Sequence, residues 1–139
     1  MWTTTNQNKE QLSILHDRDV IICRNRIKEV AVKIGMGIVN QTKLITAVSE
    51  LARNMLIYAG GGNVIVEVVA RGREQGVKIV FEDKGPGIQD IAKAMQDGFT
   101  TGKSMGMGLP GAKRLVSEFN IESTVGKGTT IKIVKWKNG

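Results

Sequence analysis

Two pairs of alternating hydrophobic runs, each pair joined by a short polar turn, restrict the fold of this chain more than any other feature. Val64 to Ala70 and Val77 to Asp83 follow a period of two, and only Arg71-Gly72-Arg73-Glu74-Gln75-Gly76 separates them. Ile121 to Val125 and Thr129 to Trp136 repeat the arrangement around Gly126-Lys127-Gly128. Helical spacing precedes both pairs. Val20, Cys23, Ile27, Val30 and Ile34 form one stripe, with Asp17 as its cap and Gly35 as its stop. Leu44, Ile45, Val48, Leu51, Ala52, Met55 and Leu56 form a stronger one that ends at Gly60-Gly61-Gly62. An edge strand over Gln11 to His16, a short helix near Asp90 to Gln96 and a helix from Leu109 to Phe119 complete the expected elements. Helices followed by locally paired strands predict an α+β fold, with helices on one face of a mixed, mostly antiparallel sheet.

A chain of 139 residues, 41% of them hydrophobic, has the size of one domain with one core. The polar residues 1–9 are expected to be a flexible N-terminal segment, and 10–139 a single domain. No apolar run reaches the roughly 18 to 20 residues of a membrane span, and the polar start lacks a signal-peptide core, so a cytoplasmic protein with no membrane partner is expected. The net charge of +7 would suit an acidic partner, yet the basic residues are scattered and aromatics make up only 4%. No nucleic-acid platform is visible in that pattern. Cys23 lies among apolar residues and reads as a buried, inert thiol.

The chemistry-bearing residues lie near the ends of these elements. Glu50 and Asn54 are four apart on the second helix, so they share a face. Such a pair is either a base with a metal or hydrogen-bond ligand, or simply a solvated surface. Strand parity gives Asp83 the face of Val77, Ile79 and Phe81, which ends a core-facing row on a carboxylate. That carboxylate needs donors, from a ligand's amino group or from the backbone of a tight turn. Gly85 and Gly87 follow at once, where glycine permits close backbone approach to a flat group. A second cluster, Gly102-Lys103-Ser104-Met105-Gly106-Met107-Gly108-Leu109-Pro110-Gly111, runs into a helix and could hold phosphate on free N–H groups, or form a surface loop. Its spacing is neither that of a Walker A loop nor that of a Rossmann fingerprint. Thr129 shares the parity of Ile131 and Ile133, which puts its hydroxyl in the layer of Asp83 if those residues face the helices.

Together, Glu50-x-x-x-Asn54, Asp83-x-Gly85-x-Gly87, Gly106-x-Gly108-Leu109 and Gly126-x-Gly128-Thr129 occur in the order of the motifs of the GHKL (Bergerat-fold) ATPase and kinase superfamily, which nearly the whole chain resembles. Ser49-Glu50-Leu51-Ala52-Arg53-Asn54, Glu82-Asp83-Lys84-Gly85-Pro86-Gly87-Ile88 and Asp97-Gly98-Phe99-Thr100-Thr101-Gly102 are similar to anti-sigma-factor type serine kinases, most of all the RsbT-type stressosome switch kinases. The resemblance implies a two-layer α/β sandwich that binds ATP and Mg²⁺. Asp83 would receive the adenine amino group with help from Thr129, and Asn54 would be the metal ligand. Gly106, Met107, Gly108 and Leu109, with Lys103 and Ser104, would hold the phosphates, and residues 89–105 would form a lid. Glu50 would be the general base for a serine hydroxyl on a STAS-domain partner protein. A phosphatase regulatory domain is the implied second partner. An anti-sigma factor with serine kinase activity, or an ATP-dependent binding module without catalysis, are the alternative expectations.

Overall fold

In the computed structural model, which describes residues 2–6, 9–96 and 108–139, the alternating runs form one six-stranded sheet of order β1-β2-β3-β4-β6-β5. The strands are β1 (Thr3–Asn6), β2 (Lys9–Ile14), β3 (Gly62–Arg71), β4 (Glu74–Asp83), β5 (Glu118–Thr124) and β6 (Gly128–Trp136). Every neighbouring pair among the described residues is antiparallel. Helices α1 (Asp17–Lys33) and α2 (Ile38–Ala59) cover one face, and the short α3 (Ile91–Ala94) and α4 (Leu109–Leu115) follow β4.

Period-two burial builds the core. Leu12 and Ile14, Val64 and Val66, Val77, Ile79 and Phe81, and Ile131 and Ile133 are buried across four adjacent strands. They meet Ile27 of α1 and Leu44, Val48, Leu51 and Met55 of α2 in a single cluster. Burying an aliphatic side chain of this size contributes about 1.5–3 kcal/mol, so this layer is the main source of stability. In β4 and β6 the rows Ile79 with Ile133, Phe81 with Ile131 and Asp83 with Thr129 are directly opposed. The core-facing row therefore ends in a polar pair at the edge of the helical layer.

Several boundaries differ from those the sequence suggests, each for a tertiary or capping reason. The strand expected at the sheet edge over 11–16 is one strand in, because Thr3–Asn6 pairs alongside it. His16, not Asp17, is the N-cap of α1. The buried Asp19 decides this, since its Oδ2 accepts the N–H groups of Leu15 and His16, both at 2.9 Å. Helix α2 starts at Ile38, before its apolar stripe, where Ile38 and Val39 are exposed and leave no amphipathic signal. Asn40 Nδ2 fastens that first turn to the Lys137 carbonyl at 3.2 Å. Arg71 pairs with Glu74, so Gly72 and Arg73 alone join β3 to β4. Helix α4 stops at Leu115, short of the expected Phe119, because Glu118 and Phe119 pair with Val134 and Ile133 of β6.

Candidate functional site

Asp83 is half-buried where β4 ends, opposite Thr129. Its Oδ1 accepts the Gly85 N–H at 2.9 Å and the Thr129 N–H at 3.2 Å. The tight-turn aspartate and the core-facing aspartate are thus one residue. Oδ1 is held by backbone donors, whereas Oδ2 accepts from no described residue. The carboxylate is fixed in orientation and keeps acceptor capacity for something else.

The loop after Asp83 is shaped by protein contacts as well as by the space it leaves. Gly87 has φ 77°, and a Cβ there would run into the Thr124 carbonyl, so only glycine fits. Pro86 O accepts from Gly126 N at 2.9 Å, and Ile88 N donates to Ser123 Oγ at 2.7 Å. Gly85 lies against Ala59 at the end of α2, so its missing side chain lets loop and helix close together. Further along, the Asp90 side chain caps α3 by accepting Lys93 N at 3.0 Å.

Helix α2 supplies the opposite wall. Leu51, Asn54, Met55 and Tyr58 are spaced to share one helical face, and all line a pocket of ≈ 430 Å³, counting its open mouth. Asp83, Gly87, Leu109 and Thr129 line the same pocket, with Phe81, Pro86, Ile88 and Ile131 among its apolar surfaces. Glu50 stands one turn before Asn54, next to the start of α4. Gly108, at φ 87°, brings the backbone so near that a Cβ on it would lie 2.7 Å from Glu50 Oε2 and 3.5 Å from Asn54 Nδ2. Of the residues singled out in the sequence, Asn54, Asp83, Gly87, Leu109 and Thr129 thus share one cavity, and Glu50 and Gly108 adjoin it. Lys103, Ser104, Gly106 and Met107, with most of the expected lid, lie outside the described residues.

Sequence reasoning missed Met55 and Tyr58 as wall residues, although their spacing of four and seven from Leu51 was a usable signal. It also missed Ser123. That hydroxyl lies opposite Thr129 and 2.8 Å from Thr129 Oγ1. Cys23 has no role here, because burial pushes its thiol up to about 12 and keeps it protonated. Among the described residues no group of three or more His, Cys, Asp or Glu could hold a metal. A hard divalent ion would instead suit Asn54 supplemented by phosphate and water oxygens. No helix among the described residues is long and apolar enough to cross a membrane.

The apolar lining with a carboxylate and a hydroxyl, and the carboxylate–amide pair toward α4, has the chemistry that suits a flat amine-bearing group with a polar tail. Residues 39–138 match the family of histidine kinase-, DNA gyrase B- and HSP90-like ATPases. The chain is 47% identical over 123 residues to the serine/threonine-protein kinase RsbT of Bacillus subtilis (strain 168), covering 88% of this chain and 92% of that protein. It is 41% identical over 96 residues to an anti-sigma F factor of Thermoanaerobacter sp. (strain X514), covering 66% of each. Among solved structures, the mycobacterial sensor histidine kinase MprB superposes with a TM-score of 0.56 at 20% identity, over 91% of this chain and 95% of that one. That likeness concerns the fold.

Proposed function

We propose, since the chain belongs to the histidine kinase-, DNA gyrase B- and HSP90-like ATPase family and within it to the RsbT serine/threonine-protein kinases, that it is an ATP-dependent protein-serine kinase acting in the cytoplasm. The observation that carries this reading is one pocket lined by Asp83, Thr129 and Asn54, with Glu50 beside Asn54 toward α4. Asp83 Oδ2 receives the adenine amino group. Guanine would present a carbonyl there, so two acceptors would face each other and ATP is preferred. Leu51, Met55, Ile88 and Ile131 enclose the ring in apolar surface.

Asn54 would hold Mg²⁺ on this chain, since such an ion needs few protein oxygens beside water and phosphate. Bound there, the ion would neutralise phosphate charge. We assign the phosphates to the backbone N–H groups of Gly106, Met107, Gly108 and Leu109 and to Lys103 and Ser104, and the ring site to the space shaped by Gly85 and Gly87. Glu50 takes the proton from a serine hydroxyl as the serine oxygen bonds to the γ-phosphorus. The bond from that phosphorus to the β,γ-bridging oxygen breaks, and ADP leaves. Positioning dominates phosphoryl transfer, so the acceptor is set by what docks beside Glu50. For a kinase of this family we assign that acceptor to a STAS-domain protein, with a phosphatase regulatory domain as a second, non-substrate partner.

Incubation with Mg-ATP and a STAS-domain partner should give one phosphoserine on the partner by mass, with ADP in equal amount. ADP formation without transfer to protein would reduce the reading to an ATPase. The likeness to anti-sigma F factor over 96 residues supports a second reading, an anti-sigma factor that also phosphorylates its antagonist. Stable binding of a purified sigma factor separates the two.

A further inference from the structure

Ser123 is a crossing point that the nucleotide reading leaves unused. Its Oγ lies 2.7 Å from Ile88 N, 3.1 Å from Gly128 O and 2.8 Å from Thr129 Oγ1. A serine hydroxyl has one proton to donate and two lone pairs to accept with. The Ile88 N–H can only donate, so it takes one lone pair. Gly128 O can only accept, so it takes the proton. The remaining lone pair can be used only if Thr129 donates its own hydroxyl proton to Ser123. Thr129 is only 8% exposed, a burial at which unmade bonds are costly, and the arrangement that fills all three positions is therefore favoured.

With its proton committed, Thr129 Oγ1 shows the pocket lone pairs alone. Asp83 is an acceptor too, and Thr129 lies directly across the strand pair from it. Resting on the reading of this pocket as an adenine site, we propose that Ser123 is a positioning residue for purine selectivity: it polarises Thr129 so that the Asp83–Thr129 end of the pocket is acceptor-only. Such an end accepts the 6-amino group of adenine and rejects a 6-oxo purine. Without Ser123, the Thr129 hydroxyl is free to turn and donate to the 6-oxo group, and the discrimination falls.

The test is calorimetric titration of the full chain with Mg-ATP and with Mg-ITP, which differ at the 6-position. Wild type should prefer ATP. In Ser123→Ala the ratio of the two affinities should fall by about tenfold, the loss of one hydrogen-bond discrimination. A merely structural role would weaken both nucleotides alike and leave the ratio unchanged, and that result overturns the proposal. If Ser123→Ala does not fold, Ser123→Cys keeps a side chain of similar size but offers Thr129 only a weak acceptor, so its ratio should fall in the same direction, and an unchanged ratio again overturns the proposal. Wild type that binds no ATP would refute the adenine site and this inference with it, whereas tight ATP binding with an unaltered ratio in the variants refutes the role of Ser123 alone.

Discussion

At Asp83 the two oxygens of one carboxylate differ, since Oδ1 is held by the backbone and Oδ2 accepts from no described residue. Oδ1 is tied to the N–H groups of Gly85 and Thr129, so Asp83→Asn can retain the turn through its amide oxygen. What it loses is charge and acceptor capacity toward a ligand. ATP affinity should therefore drop by on the order of 1–3 kcal/mol with little change in melting temperature, measured by calorimetry and thermal unfolding side by side. Unchanged affinity would remove Asp83 from the adenine site. Gly87→Ala should behave in the opposite way. A side chain there meets the Thr124 carbonyl at a left-handed φ of 77°, so the expected result is lower stability, by about 1–3 kcal/mol in urea unfolding. The parity of Asp83 was legible in the sequence because side chains alternate strictly along a strand. The role of Ser123 was not, because it depends on the register between β5 and β6, which no local pattern states.

Element boundaries follow from contacts rather than from periodicity. The alternating runs marked β3, β4 and β6 well, since each is half-buried and shows its period. The end of α4 was illegible, because Glu118 and Phe119 satisfy a helical pattern equally well and only pairing with β6 decides the matter. The cap of α1 was misplaced by one residue for a similar reason, because Asp19 reaches back past Asp17 to Leu15 and His16. Those two backbone donors, Leu15 first, hold the Asp19 carboxyl below the usual carboxylate range. A lowered folded-state pKa stabilises above the unfolded value, and the benefit is lost as pH falls through the folded one. Asp19→Ala should therefore cost about 1 kcal/mol near neutral pH. Its stability should also decline less than that of wild type on acidification below about pH 4, by urea unfolding. Parallel acid profiles would show that Asp19 contributes nothing through its charge. The Glu10–Arg26 pair joining β2 to α1 is bidentate, at 2.7 and 2.9 Å. Because these side chains are 25% and 38% exposed, removing Glu10 should cost less than about 1 kcal/mol.

On the scale of the whole molecule, the pocket lies where the sheet, the C-terminal half of α2 and the start of α4 converge, so its walls come from distant parts of the chain. A nucleotide bridging them links separate elements and should raise the unfolding temperature. Saturation at about 100 times the dissociation constant contributes about 2.7 kcal/mol, several degrees for a domain of this size. A melting curve that Mg-ATP does not move would contradict a preformed site. The helical layer, the antiparallel sheet and the family of the chain were legible from ordered motifs. The proximity of Gly108 to Glu50 and Asn54 was not, because it joins segments that no local spacing relates. The proposed function requires that this pocket transfer phosphate to a serine with Glu50 as the base. The direct measurement is single-turnover transfer from γ-labelled ATP to a STAS-domain partner, with ATP affinity measured in parallel, for wild type and Glu50→Gln. Transfer should fall by about 10²- to 10⁴-fold while ATP affinity stays within a few-fold. Undiminished transfer in Glu50→Gln would contradict it.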